Sequence, residues 1–362
     1  MRIGSIEPPP GREVPVLDGI RGVAAIIVAV SHASNQWADG AWVGQGAGQL
    51  GVMLFFVLSG FLMGYLYLGT RCDAQTARRF MLHRFGRVVP LFFTIVLMSY
   101  AVLSLGFPLW VYPIASSRVL VEHLLFVRGV DVLWSIGPEV VYYLLFLGMW
   151  WLWSRSRVAS VVFIGALTIT STFAMFAPAG SGTLAQLHSK LPYFVAGTCL
   201  GAAWRLSPSV ATGSRLAKSA TSALAGLLLL LSLPQTLRVL QEECGIFLVA
   251  LQAPWGQLWA KPYYFFLSVG FFVAMLWARP KWLESSPMRM IGRLSYSIYL
   301  VHMIVLRNLP APQEIGWVGA VLAYSICTIA LAEVMYRVVE RPAREWFRSL
   351  ARRPVLDFKA SY

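Results

Sequence analysis

Residues 16–34 read VLDGIRGVAAIIVAVSHAS, an apolar stretch that contains three ionisable side chains, Asp18, Arg21 and His32. Its length predicts a helix that crosses a membrane. Ionisable groups in hydrocarbon are energetically costly, so they usually face a protein interior or a water-filled cavity and mark a functional site. Arg21 and His32 are eleven residues apart, close to three helical turns, so we expect both on one helix face, about 16 Å apart along the axis.

A structural interpretation of the same three residues is the alternative. Asp18 and Arg21 would then form a local pair at the membrane edge, and His32 would cap the other end of the helix beside Ser31 and Ser34. The occurrence of all three residues at a three-turn spacing favours a functional interpretation. An imidazole titrates near about pH 6.5, which suits general base catalysis on a hydroxyl group.

The composition of the whole chain indicates a polytopic membrane protein. Hydrophobic residues make up 57% and charged residues 13% of 362 positions, whereas a soluble domain carries about 25% charged residues. Repeated apolar runs of about 20 residues predict an all-α bundle of about ten membrane-spanning helices. We place the spans at residues 17–35, 48–68, 88–107, 132–153, 159–177, 190–204, 217–235, 262–278, 294–309 and 316–338.

The basic residues predict the orientation and explain the net charge of +14 without a nucleic-acid partner. With ten spans both termini lie on one side, and the segments of that side hold most of the Lys and Arg residues. The opposite side holds Arg118, Arg128, Lys190, Arg238 and Lys261. Because cytoplasmic loops collect basic residues, we expect a cytoplasmic segment at 1–15, a membrane domain at 16–340 and a basic cytoplasmic tail at 341–362.

Two loops and one glycine-rich span add local expectations. Residues 108–131 contain SSRVLVEHLLFVRG, which predicts a short interfacial or re-entrant helix, and residues 236–261 contain GIFLVAL, which is too short to span a membrane. In the second span, Gly51, Gly60 and Gly64 predict close helix packing, because small residues let helix backbones approach each other.

The stretch HRFGRVVPLFF, residues 83–93, places two arginines before the third span. Arg84 and Arg87 are three residues apart and share a helix face. Two guanidinium groups on one face can hold phosphate groups bidentately. The alternative is a basic cluster that binds lipid headgroups, and the residues alone favour this alternative.

The stretch LWSIGPEVVYYLLF, residues 133–146, buries the carboxylate of Glu139 in an apolar run. Pro138 suits the first turn of a helix. Because the first span rises and the fourth descends, we expect Glu139 and His32 at similar depth, where a carboxylate can orient an imidazole as in a catalytic dyad. A structural ion pair or a packing hydrogen bond of Glu139 is the alternative.

Near the C-terminus, IGRLSYSIYLVHMIVLR places His302 inside a span, where we expect a satisfied core histidine rather than a catalytic one. At the end of the tenth span we expect a charge network at the membrane edge. Its members are Glu333, Arg337, Glu340 and Arg341.

In this order, the motifs resemble acyltransferase family 3, the integral-membrane O-acyltransferases that modify bacterial surface glycans and related acceptors. The matching segments are LDGIRG with the Arg21 and His32 spacing, FFVLSGFLMG, HRFGRVVP, LWSIGPE, RLSYSIYLVHM and VVERPAREW, which together cover residues 16–347. The resemblance implies a ten-helix acyltransferase core in the bacterial inner membrane, here in a form without the esterase-like domain of some members.

The resemblance also implies roles for single residues. In this family the arginine and histidine of the first span are needed for activity, which points to Arg21 and His32, and the paired arginines correspond to Arg84 and Arg87 in acyl-CoA binding. The segment VHM departs from the pattern of many members, which have a tryptophan before the histidine, so we assign no catalytic role to His302.

We therefore expect transfer of an acyl group, acetyl first of all, from cytoplasmic acyl-CoA to a hydroxyl group of an extracytoplasmic glycan or glycolipid, without a metal. His32, oriented by Glu139, would deprotonate the acceptor for direct attack, and an acyl-histidine intermediate stays open. Membrane lipids are the other expected partners. The sequence predicts neither which molecule is the acceptor nor the oligomeric state. The assigned residues are His32, Glu139 and Arg21 for catalysis, Arg84, Arg87 and Arg21 for the donor, and Asp18, Trp134 and Ser135 for the substrate.

Two other classes of function are alternatives. Ten spans with inward-facing charges and a histidine would suit a proton-coupled exporter of a glycan precursor, but the sequence has no inverted repeat and no paired interrupted helices. An assembly subunit of a polysaccharide synthase would explain the spans but not His32 and Glu139 inside the membrane.

Overall fold

A computed structural model describes residues 14–38, 43–44, 46–174, 182–206, 214–231, 236 and 262–353, and all regular elements in these ranges are helical. The helices are α1 (Val16–Trp37), α2 (Gly48–Tyr67), α3 (Ala74–Ser104), α4 (Ser117–Leu124), α5 (Ile136–Arg155), α6 (Arg157–Ala174), α7 (Thr183–Leu206), α8 (Arg215–Leu231), α9 (Pro262–Ala278), α10 (Ser286–Asn308), α11 (Pro312–Ile315), α12 (Trp317–Met335) and α13 (Arg341–Arg352). A 3₁₀ turn at Asp131–Ser135 precedes α5, and a π turn at Tyr336–Glu340 joins α12 to α13.

The predicted membrane-type helical bundle is confirmed, because a helix overlaps each of the ten predicted spans. Among the described residues, five stretches are long and apolar enough to cross a membrane: Val16–Trp37, Gly48–Tyr67, Ala74–Ser104, Asp131–Arg155 and Trp317–Arg352. Shorter apolar helices lie at Arg157–Phe173, Leu216–Leu231 and Tyr264–Ala278. The count of ten spans therefore stays a prediction.

Helix α3 begins well before the predicted span at 88–107. The carboxylate of Asp73 accepts a hydrogen bond from the Thr76 backbone N–H at 2.8 Å, and the Thr76 hydroxyl accepts one from the Asp73 N–H at 2.9 Å. This capping box satisfies amide groups that have no partner inside a helix. The helix then continues for 31 residues, so Arg84 and Arg87 lie well inside it.

Glycines bring α2 into backbone contact with its neighbours. A Cβ atom at Gly60 or Gly64 would meet the backbone of Phe194 or Thr198 in α7, and one at Gly51 would meet the backbone of α1. Apolar burial gives little drive for helix association in lipid, so small residues that allow close contact matter more there. The predicted packing role of these glycines is confirmed.

The two long loops differ in what the structure describes. The short helix predicted within residues 108–131 is present as α4, in which the Ser116 hydroxyl caps the helix by accepting from the Val119 N–H at 3.3 Å. Residues 237–261, which contain GIFLVAL, lie outside the described residues.

The basic segment after residue 340 continues the last long helix through the π turn and packs as α13 against α3. Arg78 donates to the carbonyl of Arg353 at 2.9 Å, and Arg79 donates to the carbonyl of Ala351 at 3.1 Å. The side chain of Phe347 lies against Gly86. Because Gly86 lies between Arg84 and Arg87, α13 covers the α3 segment that carries the paired arginines.

We expect Gly60→Ala to destabilise the bundle, because the added Cβ would meet the Phe194 carbonyl and push α2 away from α7. Overpacking of this kind costs about 1–3 kcal/mol. The unfolding temperature of the detergent-solubilised protein, followed by size-exclusion chromatography of heated samples, should fall by several degrees.

Gly148→Ala is the matched control for this substitution. Gly148 also lies inside a helix, but nothing lies within 4 Å of an added Cβ there. Alanine favours a helix over glycine by about 1 kcal/mol, so the control should be unchanged or slightly more stable. An equal loss in both variants would contradict the role of Gly60 in close packing.

Candidate active site

A cavity of about 50 Å³ lies where α1, α2, α3, α5 and α10 meet. Five residues that the sequence singled out line it: Arg21, Arg84, Arg87, Ser135 and Glu139. The other polar side chains of its wall are Ser59, Ser295, Tyr296 and Tyr299. One water needs about 10–15 Å³ of such space, so the cavity holds a few waters, and a larger guest requires its walls to move apart.

The paired arginines of α3 have no carboxylate ion-pair partner among the described residues. Arg84 is only 6% exposed, and its Nε atom has no hydrogen-bond partner within those residues. Its guanidinium carbon lies 5.9–6.0 Å from the ring centroids of Tyr67, Phe80 and Tyr143. Neither Arg84 nor Arg87 forms an ion pair with any residue that the structure describes. Since a buried charge without a partner is strongly destabilising, this wall favours an anionic guest.

Arg21 joins this wall from α1. Its Nη1 atom lies 2.6 Å from the Asp18 carboxylate, so the local pair considered as the structural alternative exists. The Arg21 side chain nevertheless reaches the cavity, whereas Asp18 is absent from its lining. Asp18, assigned to substrate binding from the sequence, therefore contacts Arg21 and not the cavity.

Glu139 is the acidic residue of the cavity lining. Its Oε1 atom accepts hydrogen bonds from the Ser59 hydroxyl at 2.8 Å and from the Tyr143 hydroxyl at 2.7 Å. It lines the same cavity as Arg21, whereas His32 lies outside that lining, and the structure shows no hydrogen bond between Glu139 and His32. The carboxylate is instead held by Ser59 of α2 and Tyr143 of α5.

His32 lies outside the cavity lining, against the ring of His302. The two ring centroids are 5.3 Å apart with the planes tilted by 48°. His32 is half-buried and makes no hydrogen bond with the described part of the chain. Asp131 and Arg307 are the charged side chains within electrostatic reach of its ring. His32 and the arginines are therefore separate parts of the candidate site.

Tyr299 and Ser135 lie between these two parts. The hydroxyl groups of Tyr299 and Ser135 are 2.8 Å apart, and the Tyr299 hydroxyl also lies 2.8 Å from the Val132 carbonyl oxygen. The Tyr299 ring centroid is 6.0 Å from that of His302. Trp134, the other residue assigned to substrate binding, packs its ring edge against Phe56 and lies behind the cavity wall.

Comparison with known proteins gives the family. The model of a family described as an acyltransferase domain, Acyl_transf_3, matches residues 14–337. This chain belongs to that acyltransferase family. No solved structure matches the chain.

Three relatives of this acyltransferase carry informative names. The putative peptidoglycan O-acetyltransferase YrhL of Bacillus subtilis is 27% identical, over 94% of this chain and 57% of the relative. O-acetyltransferase OatA of Staphylococcus aureus is 25% identical, over 92% of this chain and 58% of the relative. Peptidoglycan O-acetyltransferase OatA of Listeria monocytogenes is 23% identical, over 92% of this chain and 56% of the relative. The chain thus spans little more than half the length of these relatives.

Sequence reasoning about the acyltransferase missed several contacts. Tyr143 lies four residues after Glu139, and this helical spacing is a signal that could have revealed the pair. Ser59 is 80 residues from Glu139 in the chain, so no local pattern connects them. His302 is buried as expected, but its Nε2 atom has no hydrogen-bond partner in the part of the chain that the structure describes.

The predicted charge network after α12 exists as separate pairs one helical turn apart. Arg337 pairs with Glu333, and the buried Glu340 accepts hydrogen bonds from Ser297 at 2.8 Å and from Arg344 at 3.3 Å. Arg341 pairs with Glu345 instead. Within the described ranges no three His, Cys, Asp or Glu side chains are grouped as metal ligands, and a metal-free reaction stays a prediction.

We expect Glu139→Ala to destabilise the acyltransferase, because it leaves the Ser59 and Tyr143 hydroxyls without their acceptor and removes the negative charge of the cavity. An unsatisfied buried polar group costs about 1–3 kcal/mol. Glu139→Gln keeps a carbonyl acceptor and should lose less. The unfolding temperature in detergent measures both effects.

Glu345→Ala is the matched control, because it also removes a hydrogen-bonded carboxylate, but one that pairs with Arg341 at 2.9 Å on the exposed face of α13. Exposed helix pairs contribute about 0.5 kcal/mol or less. If Glu139→Ala were as mild as this control, the hydrogen bonds of Glu139 would have no structural importance.

Proposed function

We propose that this chain transfers an acyl group, acetyl in the first instance, from acyl-CoA to a hydroxyl group of an extracytoplasmic glycan. The observation that carries the proposal is the cavity wall in which Arg84 and Arg87 have no carboxylate partner. Family membership supplies the reaction class. The names of the relatives, peptidoglycan O-acetyltransferases, suggest the class of acceptor.

The arginines suit the phosphate groups of the donor. A planar guanidinium binds a phosphate bidentately, and a charge-assisted hydrogen bond is stronger than a neutral one. Arg84 presents an Nε donor that no group in the described residues accepts. Phosphates at Arg84, Arg87 and Arg21 would add negative charge where three arginines face one carboxylate, Glu139, so donor binding would reduce the repulsion among the arginines. We assign this end of the bundle to the cytoplasm, where acyl-CoA is made.

The distance from the arginines to His32 is compatible with the length of an extended acyl-CoA donor. His32 lies about 16 Å beyond Arg21 along α1, and the pantetheine arm of CoA is long and narrow. The cavity of about 50 Å³ is too small for that arm. Binding therefore requires Tyr299 and Ser135 to move apart, which would open a path from the arginines to His32.

The chemistry needs one base near the acceptor. His32 takes the proton of the acceptor hydroxyl, whose oxygen attacks the thioester carbonyl carbon. A carbon–oxygen bond forms, the carbon–sulfur bond breaks, and the proton on His32 passes to the departing CoA thiolate. A route through an acyl-histidine would use the same ring as a nucleophile.

Glu139 receives a different role from the one that its sequence pattern suggested. It accepts hydrogen bonds from Ser59 and Tyr143 in the wall that also holds Arg84. We assign it to positioning the donor end of the site, as a counter-charge that limits the repulsion among the arginines.

We expect Arg84→Met with Arg87→Met to weaken CoA binding while leaving the unliganded protein as stable as before or more stable, because an unpaired buried charge is removed. Hydrogen bonds to charged groups contribute about 1.5–3 kcal/mol, so the dissociation constant for CoA should rise about tenfold or more. Thermal unfolding in detergent across a CoA titration measures both quantities.

Arg289→Met is the control, because Arg289 is an exposed arginine at the start of α10, on the same predicted side. Its CoA titration should match that of the wild type. A CoA-dependent stabilisation that survives in the double variant would remove the arginines from the donor site and, with them, the main support for the proposal.

We expect His32→Ala to abolish transfer and to retain the stabilisation by CoA, because the base is lost and the arginines are not. Mass spectrometry of cell-surface glycans would measure the O-acetyl groups in cells that carry the wild-type protein, the His32→Ala variant or no copy of the protein. Release of the CoA thiol from acetyl-CoA by the purified protein, with and without peptidoglycan fragments, provides the rate.

His188→Ala is the control for the loss of an imidazole, because His188 is an exposed histidine on α7. It should leave transfer unchanged. Undiminished O-acetylation in the His32→Ala cells would refute the assignment of the base.

A further inference from the structure

His302 holds an unused hydrogen-bond acceptor inside the bundle. The residue is 0% exposed, and its Nδ1 atom lies 3.1 Å from the carbonyl oxygen of Ile298. Because a carbonyl oxygen can only accept, Nδ1 carries the hydrogen of this bond. A buried imidazole is neutral unless its charge is paired, so Nε2 is left as a lone-pair acceptor. No group in the described structure donates to it.

The ring of His32 lies beside the ring that carries this acceptor. The two ring centroids are 5.3 Å apart, and His32 has no hydrogen-bond partner in the ranges that the structure describes. The terminal torsion of a histidine side chain is broad, so a rotation of the half-buried His32 ring is accessible. Such a rotation can direct an N–H of His32 at the Nε2 atom of His302.

Two tyrosine hydroxyl groups near His302 already have hydrogen-bond partners. The Tyr299 hydroxyl bonds to Ser135 and to the Val132 carbonyl, and the buried Tyr112 hydroxyl donates to the Leu300 carbonyl at 2.8 Å.

The groups that the structure shows near His32 make their own contacts. The Tyr324 hydroxyl, from α12, donates to the Ala29 carbonyl at 3.2 Å. Within the described residues, the charged side chains Asp131 and Arg307 make no hydrogen bond with His32. An acceptor without a donor, on His302, therefore lies beside an imidazole without a hydrogen-bond partner.

We propose that His302 is a positioning residue that accepts a hydrogen bond from His32 during acyl transfer. This contact fixes which nitrogen of His32 carries the hydrogen, and it leaves the opposite nitrogen as the base for the acceptor hydroxyl. When that base takes the proton, the bond to His302 becomes charge-assisted and stronger. His302 keeps its own hydrogen on Nδ1 throughout. The inference rests on the proposed function, and it gives His302 the orienting role that the sequence suggested for Glu139.

The comparison of His302→Leu with His302→Gln tests this role. Leucine fills the space without an acceptor, whereas the Oε1 atom of glutamine can occupy the position of Nε2. We expect kcat for CoA thiol release from acetyl-CoA, with peptidoglycan fragments present, to fall about 10- to 100-fold in His302→Leu, which corresponds to one lost hydrogen bond to a charged group. The KM for acetyl-CoA should be unchanged, and His302→Gln should recover most of the rate.

The unfolding temperature of the His302 variants distinguishes a positioning role of His302 from a packing role. Because His302→Leu removes an unpaired buried acceptor, its unfolding temperature should be equal to or above that of the wild type, and its stabilisation by CoA should be intact. If the leucine variant does not fold, His302→Met against His302→Gln gives the same comparison with two unbranched side chains.

Two results would overturn the inference: full activity in His302→Leu or His302→Met, or equal losses in the variants with and without an acceptor. Neither result would contradict the proposed role of the arginines in CoA binding, because CoA binding is measured separately. Activity retained in His32→Ala would instead refute the base assignment of the proposed function, and the role of His302 would be refuted with it.

Discussion

A guanidinium buried without a carboxylate partner is the constraint on which the rest of this structure depends. Arg84 is surrounded by aromatic rings and faces a cavity that it shares with Arg87 and Arg21. Aromatic faces offset part of the cost of a desolvated cation, but they do not replace a counter-ion. The fold tolerates this arrangement because neighbouring helices are held together by close backbone contacts, such as those of Gly60 and the other glycines of α2.

The candidate site is divided along its length rather than concentrated at one point. The arginine end has an excess of positive charge, whereas the other end has an imidazole pair formed by His32 and His302. Tyr299 and Ser135 close the space between them by a hydrogen bond between their hydroxyl groups. In the proposed function, a donor that reaches from one end to the other would separate these two hydroxyl groups, and a single hydrogen bond of this kind contributes only about 1 kcal/mol.

The sequence predicts the parts of the structure that depend on local spacing. Apolar runs locate the helices, and the separation of Arg84 from Arg87 places both in the same cavity wall. The pair of Asp18 with Arg21 also follows from helical spacing.

Local spacing does not predict contacts between segments that are far apart in the chain. Glu139 accepts its hydrogen bond from Ser59, which is 80 residues away in the chain, so the pair depends on how α2 packs against α5. Among the described residues, the Nε2 atom of His302 has no partner, and a sequence cannot show this because it depends on where other segments direct their polar groups.

The packing of α13 on α3 makes the far C-terminal helix part of the wall behind the arginines. Phe347 fills the space above Gly86, on the helical turn that carries Arg84 and Arg87. A reporter domain or affinity tag joined directly to this helix would therefore pull on the donor end of the bundle. An extension separated from α13 by a flexible spacer would leave that turn undisturbed.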